Sequence, residues 1–140
     1  MPAEFFLDTN VFVYTFDRRE PDKQARARRL VERALGTGDG VVSSQVVQEF
    51  LNVALRKFER PLSEGEALRY LRDVMDPLCT VFPSLSLYEA AVSLHKRWRW
   101  SFYDSLIVAS ALEAGCDTLL TEDLQTGRRI EGLTIVNPFA

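Results

Sequence analysis

Short apolar runs alternate along this chain with longer segments in which apolar residues recur every three or four positions. Five short runs occur, at 4–7, 41–42, 79–82, 118–121 and 133–136. Runs of this length between polar or turn-forming residues are typical of buried strands. The pattern therefore predicts five short strands.

The segments between these runs have the periodicity of amphipathic helices. Pro21 marks the start of the second helix and Gly36 its end, and Ser63 with Glu66 forms the signature of a capping box. The predicted helices cover 10–16, 21–35, 45–58, 64–75, 87–97 and 103–114. Strands that alternate with helices predict an α/β fold, in which helices flank a central, mostly parallel sheet of about five short strands.

The composition is that of a globular protein: of 140 residues, 46% are hydrophobic and 26% are charged. These values fit one domain spanning 1–140 and exclude a disordered or fibrous protein. No uncharged apolar run approaches the roughly 20 residues that a membrane-spanning helix requires. The start, Met1-Pro2-Ala3-Glu4, lacks the basic and apolar segments of a signal peptide. A cytoplasmic protein with no membrane partner is therefore expected.

Few side chains of the usual catalytic or soft metal-binding types are present. His95 is the only histidine, which excludes a zinc site with two imidazoles. Cys79 and Cys116 are too few for a disulfide scaffold or a four-thiolate zinc site. The glycine-rich turn at 36–40 lacks the lysine and hydroxyl of a phosphate-binding loop. Carboxylates therefore remain as the candidate chemistry.

The net charge of −3 argues against a protein that coats nucleic acid through overall basicity. Local basic surfaces are nevertheless present. The segment 17–33 carries seven basic and four acidic residues, and a second basic cluster contains Lys96, Arg97 and Arg99. Each is either a solvated helix surface or a surface that contacts phosphate.

Two aspartates occupy informative positions in the predicted elements. Asp8 follows the first strand directly, and ligands in parallel sheets bind outside the carboxyl ends of the strands. Asp104 shares a helical stripe with Ile107 and Ala111, so its carboxylate faces an otherwise apolar surface and needs a cation, a hydrogen bond or a proton. Helix capping is an alternative explanation for both residues.

Three further acids also lie near a predicted strand end or at the edge of an apolar helix face. Glu49 lies at the margin of the apolar face of its helix, and Glu122 and Asp123 follow the fourth strand. Taken singly, they are also explained as surface, cap or turn residues. Carboxylates crowded together repel one another unless cations lie between them. An oxygen-only cluster of this kind suits Mg²⁺ or Mn²⁺.

The acids lie in four segments that resemble, in order, the acidic motifs of PIN-domain nucleases. The segments are Leu7-Asp8-Thr9-Asn10, Gln48-Glu49-Phe50, Phe102-Tyr103-Asp104-Ser105-Leu106-Ile107-Val108-Ala109 and Leu120-Thr121-Glu122-Asp123. The similarity covers nearly the whole chain. The small size and the ending Asn137-Pro138-Phe139 resemble VapC-like toxins of toxin–antitoxin pairs. Asp123 fits the fourth acid of the family better than Glu122.

The resemblance implies an endoribonuclease that depends on Mg²⁺ or Mn²⁺. Asp8 and Asp104 would hold the principal ion, and Glu49 and Asp123 would complete its shell or hold a second one. Orienting roles would fall to Thr9, Asn10 and Thr121, which are equally well explained as caps and turn residues. An RNA substrate, an antitoxin partner and a homodimer are also implied. Four neighbouring aromatic residues would either stack on bases or form core: Trp98, Trp100, Phe102 and Tyr103.

Two other functions remain open from the residues. A phosphatase or phosphotransferase would use Asp8 as the nucleophile, but such enzymes usually have a second acid two residues later, where this chain has Asn10. A catalytically inactive RNA- or protein-binding module is the other alternative. Removing the carboxylates would leave the cellular activity of such a module unchanged.

Overall fold

The computed structural model describes residues 3–140. Part of the segment on which the predicted absence of a signal peptide rests, Met1 and Pro2, lies outside the described residues. The described part contains one six-stranded sheet, ordered β3-β2-β1-β4-β6-β5. The strands are β1 (Phe5–Leu7), β2 (Gly40–Ser43), β3 (Cys79–Val81), β4 (Thr118–Leu120), β5 (Arg129–Ile130) and β6 (Leu133–Val136). Every pairing is parallel except that of β5 with β6.

Helices connect most of the parallel strands, since a connection between parallel strands must cross from one end of the sheet to the other. They are α1 (Thr9–Tyr14), α2 (Pro21–Thr37), α3 (Ser44–Arg56), α4 (Glu64–Tyr70), α5 (Asp76–Leu78), α6 (Leu85–Trp98) and α7 (Phe102–Glu113). Side-chain caps start several of them, including Ser63 with Glu66 in a complete capping box and Ser84 at α6. Within the described residues, no helix is long and apolar enough to cross a membrane.

The predicted fold class is confirmed, with corrections to its elements. About five strands were expected, but the described chain has six, because β5 is a two-residue strand too short to show a pattern. It joins β6 through Glu131 and Gly132, which both have positive φ. The predicted helix 64–75 is also wrong in detail: a π-helical turn at Leu71–Met75 follows α4 and leads into α5.

The core lies between the sheet and the helices that pack on it. Phe6 and Leu7 of β1 are completely buried, as expected for a central strand covered on both faces. In α1, Val11 and Phe12 are also completely buried, and the Phe12 ring lies edge-on to Phe50 of α3, with ring centroids 6.4 Å apart. This packing fixes α1 against α3 at the carboxyl edge of the sheet.

Gly40 allows a close approach between β2, β1 and α2. A Cβ atom at this position would lie 2.5 Å from the Cβ of Ala34 and 2.6 Å from the Phe5 ring. Real Cβ atoms do not approach other carbons so closely, so this strand position requires glycine.

Candidate active site

The parallel register of β1 and β4 brings together residues 113 positions apart. Leu7 pairs with Leu120, so Asp8 and Thr121 follow adjacent strand ends. The Thr121 hydroxyl donates a 2.7 Å hydrogen bond to Oδ2 of Asp8, and Oδ1 of Asp8 accepts one of 2.7 Å from the Thr9 backbone N–H. Asp8 is therefore the N-cap of α1, which is one of the two explanations that the sequence left open. It is also a buried acid at the edge of the sheet.

The surroundings of Asp8 disfavour its negative charge. Burial raises the pKa of this carboxyl from 3.8 to about 6, although the hydrogen bonds from Thr121 and Thr9 act in the opposite direction. The negative charges of Asp123 and Glu49 raise the pKa further. A cation in this position would relieve both the desolvation and the repulsion.

Helix α3 presents two polar side chains to the same region, one helical turn apart. Glu49 accepts a 2.9 Å hydrogen bond from the Thr9 hydroxyl, which links α3 to the start of α1. The side-chain N–H of Gln45 donates a 3.2 Å hydrogen bond to the Tyr103 carbonyl. This hydrogen bond ties α3 to the start of α7. The Oε1 atom of Gln45 is buried and has no hydrogen-bond partner among residues 3–140.

Asp104 lies in the first turn of α7 and is half-buried. Ser101 caps this helix by accepting a 3.1 Å hydrogen bond from the Asp104 backbone N–H, so the Asp104 carboxylate is not the cap. The sequence left capping open as an explanation of Asp104, and this contact excludes it for the side chain.

Asp123 follows β4, and its backbone N–H donates a 3.0 Å hydrogen bond to the Thr121 hydroxyl. Partial burial raises the pKa of Asp123, and so do the negative charges of Asp104 and Glu122. The side-chain amide of Asn10 lies close enough to lower that pKa. Both polar atoms of this amide are nevertheless buried without a hydrogen bond of standard geometry to the described residues.

Glu122 has different partners from Asp123. The Tyr14 hydroxyl donates a 2.6 Å hydrogen bond to Oε1 of Glu122, and the Lys23 ammonium lies 3.6 Å from Oε2. Lys23 also donates to the Tyr14 hydroxyl at 3.2 Å. The charge of Glu122 is thus compensated, whereas none of the four candidate carboxylates forms an ion pair within residues 3–140.

One cavity of about 540 Å³ collects the candidate residues. It is lined by Asp8, Glu49, Asp104 and Asp123, together with Thr9, Asn10, Glu122, Tyr14, Asp17, Gln45, Asn52, Tyr103, Lys57 and three apolar residues. Thr121 lies beneath the wall and contacts it through Asp8 and Asp123. Six lining residues are acidic and only Lys57 is basic, so in the described chain this cavity is strongly negative.

The donor chemistry of the cavity fits a hard divalent cation. All candidate donors are oxygens, one carboxylate is desolvated, and the buried Asn10 amide has no hydrogen bond of standard geometry within residues 3–140. As they stand, however, no three Asp, Glu, His or Cys side chains of residues 3–140 are close enough together to hold one ion. Glu49 is hydrogen-bonded to Thr9 and Asp8 to Thr121. Binding of one cation by several carboxylates would therefore require rotation of these side chains.

Sequence analysis did not identify Gln45, Tyr14 or Lys57 as cavity residues. Gln45 precedes Glu49 by four positions, which places both on one helix face, and this spacing was an available signal. Tyr14 and Lys57 reach the cavity only through the packing of α1 and α3, so the sequence carried no local signal for them.

The aromatic residues near α7 divide into two groups. Trp98 and Trp100 stack on each other with centroids 5.4 Å apart, and both pack against the core. Tyr103 is 65% exposed and lines the cavity, and Phe102 is 38% exposed beside it. Core packing therefore explains the tryptophans, and Tyr103 has a ring surface free at the cavity mouth.

Comparison with known proteins identifies the family. The family model described as PIN domain matches residues 5–130. No curated protein matched the sequence.

Several solved structures share the fold. A toxin–antitoxin complex from Klebsiella pneumoniae has a chain with a TM-score of 0.68 and 20% identity, covering 98% of each chain. DNA-bound VapBC from Salmonella typhimurium gives a TM-score of 0.64 and 22% identity, covering 95% of this chain and 96% of the other. The sarcin-ricin loop cleaving toxin VapC20 from Mycobacterium tuberculosis gives 0.60 and 17%, covering 86% and 92%. With a family model matched over most of its length, this chain belongs to the PIN domain family.

Proposed function

We propose that this chain is a metal-dependent endoribonuclease and the toxin of a toxin–antitoxin pair. The observation that carries the proposal is the single negative cavity lined by Asp8, Glu49, Asp104 and Asp123, whose carboxylates have no basic partner within residues 3–140. Membership of the PIN domain family supports nuclease chemistry. Two similar solved chains, one from a toxin–antitoxin complex and one described as a toxin, support the biological role.

In this proposal the four carboxylates hold Mg²⁺ or Mn²⁺. Asp8 and Asp104 bind the principal ion, and Glu49 and Asp123 complete its shell or bind a second one. A divalent ion in this position supplies activation of the attacking water and neutralisation of phosphate charge. No side-chain nucleophile is needed.

The remaining polar residues orient the carboxylates. Thr121 contacts both Asp8 and the Asp123 backbone, and Thr9 holds Glu49. The Asn10 amide, which lacks a partner within the described chain, is available to an ion, a water molecule or the substrate.

We also propose that the chain acts as one domain over 1–140, in the cytoplasm, as a homodimer and with an antitoxin. The homodimer is supported by an exposed apolar stripe on α6, where Leu85 is 76% and Val92 53% exposed, next to Phe82 at 60%. The antitoxin is supported by the similar chains found in toxin–antitoxin complexes.

The alternative role of Asp8 as a phosphoryl-accepting nucleophile is poorly supported. Asp8 is only 5% exposed, and both of its carboxylate oxygens already accept hydrogen bonds. An inactive binding module stays an alternative that the experiment below distinguishes.

The test is RNA cleavage by the purified chain with Mn²⁺ or Mg²⁺ and with a chelator. We expect cleavage only with the metal, and loss of at least a hundredfold in Asp8→Asn and Asp104→Asn. Asp73→Asn, at an exposed aspartate that does not line the cavity, is the matched control and should cleave like the wild type. Equal cleavage by all variants, or none by the wild type with any divalent ion, would reject the nuclease assignment.

A further inference from the structure

A second cavity of about 530 Å³ adjoins the negative one. The two cavities share four lining residues: Val13 and Asp17 from the α1 side, and Val53 and Lys57 from the α3 side. A single groove therefore runs from the carboxylates of the first cavity, past these shared residues, into the second cavity.

The α3 wall of the groove follows from helical spacing. On α3 and its C-cap, Gln45, Glu49, Val53 and Lys57 recur every four residues and so lie on one face. From Glu49 to Lys57 this face extends about 12 Å along the helix axis. The groove is thus long enough to contact a ligand well beyond the carboxylates.

The charge of the groove reverses along its length. Five basic residues line the second cavity: Arg18, Arg19, Arg28, Lys57 and Arg60. Three acids also line it, Asp17, Glu59 and Glu66, and the ion pair of Asp17 with Arg19 leaves four basic residues against two acidic ones. Asp17 lies 3.2 Å from Arg19, and Glu66 accepts a hydrogen bond from the Ser63 backbone in the capping box of α4. Positive charge therefore predominates in this compartment.

Aromatic rings contribute to the same wall. Phe16 and Phe58 both line the second cavity, with centroids 5.3 Å apart; both are half-buried and also pack against the core, so each offers only part of its ring surface. A positively charged groove that follows the backbone is the feature with which proteins bind single-stranded nucleic acid without sequence preference, and partly exposed rings add to it.

We propose that the second cavity binds the sugar–phosphate backbone of single-stranded nucleic acid next to the cleaved phosphate. The proposal rests on the proposed nuclease function and adds the path of the substrate: the strand passes over Val13 and Val53, and its adjoining phosphates contact Arg18, Lys57 and Arg60. Binding here also offsets the repulsion between phosphates and the carboxylates of the first cavity.

The test measures binding of a labelled 12-nucleotide single-stranded RNA in EDTA, where metal-dependent cleavage does not occur. The double variant Arg18→Gln/Arg60→Gln removes two exposed charges of the second cavity. Arg29→Gln/Lys96→Gln removes two exposed charges that line neither cavity and includes the second basic cluster of the sequence. Thermal unfolding of both variants verifies that they are folded.

We expect the cavity variant to bind RNA about tenfold more weakly than the wild type. The slope of log affinity against log salt should become shallower by about 1.4, the value for two lost phosphate contacts on a single strand. The control variant should remain within about twofold of the wild type. Equal losses in the two variants, unchanged binding in the cavity variant, or no binding by the wild type would overturn the proposal.

A decaglutamate peptide competes in the same assay. The peptide and the RNA are compared at equal concentration of negative charges. If the peptide displaces the RNA, and the affinity of the cavity variant falls equally for both ligands, the second cavity recognises acidic peptide and the nucleic-acid proposal is wrong. Cleavage is assayed separately with Mn²⁺. Weaker RNA binding in the cavity variant without any cleavage supports the backbone site while rejecting the nuclease. Cleavage with unchanged RNA binding rejects only the backbone site.

Discussion

The hydroxyl of Thr121 donates a 2.7 Å hydrogen bond to the buried carboxylate of Asp8. The same oxygen accepts a 3.0 Å hydrogen bond from the Asp123 backbone N–H. Thr121 therefore links the carboxylate of Asp8 to the backbone of Asp123, although these two acids belong to opposite ends of the sequence.

Thr121→Val removes this link at nearly constant side-chain volume. Asp8 then loses a donor that lowers its pKa, so that pKa should rise above about 6 and the acidic limit of cleavage should move to higher pH. We expect a loss of about 1–3 kcal/mol of stability because a buried acceptor is left unpaired. Urea denaturation and the pH profile of cleavage measure both effects. Thr121→Ser should restore them, and an unchanged pH limit in Thr121→Val would contradict the assigned contact.

The metal-free chain should become less stable between about pH 4 and pH 6 because of Asp8. Its folded-state pKa of about 6 exceeds the ordinary value of 3.8, so the folded state holds the proton more tightly. The stabilisation is complete below pH 4 and disappears as pH rises through 6, at most about 3 kcal/mol. Denaturation of wild type and Asp8→Asn in EDTA at several pH values measures this difference. Parallel stability curves would show that Asp8 does not titrate in this range.

Millimolar Mn²⁺ should stabilise the folded chain if the carboxylates bind it. At a concentration one hundred times the dissociation constant, binding to the folded state alone adds about 2.7 kcal/mol. Thermal unfolding with and without Mn²⁺ measures the effect. It should be lost in Asp8→Asn and Asp104→Asn and kept in Asp73→Asn. Equal shifts in all three variants would place Mn²⁺ elsewhere.

Gln45→Met should weaken the function of Asp104 without direct contact to it. The substitution removes the hydrogen bond that holds the Tyr103 carbonyl, so the first turn of α7 is less well fixed. We expect Mn²⁺ affinity to fall severalfold and stability to fall by about 1 kcal/mol. Gln48→Met, at an exposed position on the same helix, is the control. A Mn²⁺ affinity equal to the wild type would exclude a positioning role for Gln45.

Gly40→Ala should destabilise the chain by about 1–3 kcal/mol, because the new methyl group would overlap Ala34 and Phe5. Gly65→Ala is the matched control, since a Cβ there meets no atom within 4 Å and α4 gains helix propensity. We expect Gly65→Ala to stabilise by about 0.5–1 kcal/mol. Chemical denaturation distinguishes the two, and equal stabilities would contradict the packing of β2 against α2.

The elements predicted from the sequence were those with a clear local pattern. The run at 4–7 identified β1, and Ser63 with Glu66 identified the start of α4. The strand β5 was missed because two residues carry no periodicity. The π-helical turn at Leu71–Met75 was missed because its sequence is compatible with an ordinary helix.

The candidate site was predictable to the extent that strand ends define it. Asp8 and Asp123 follow adjacent parallel strands, so the sheet rule brought them together. The sequence could not predict that Glu122, and not Asp123, has its charge compensated. Tyr14 and Lys23 reach Glu122 through tertiary packing, and no local pattern indicates those contacts. Roles for the four carboxylates in metal binding and cleavage stay predictions.

Helix α1 has only six residues, too few to be stable in isolation, so its shape is imposed by the burial of Val11 and Phe12. Asp8 and Thr9 at its start are therefore positioned by core packing more than by their own turn. A smaller side chain at Phe12 would leave a cavity between α1 and α3 and so loosen the acidic end of the groove. Selection for catalytic precision and selection for a tightly packed interior consequently act on the same side chains here.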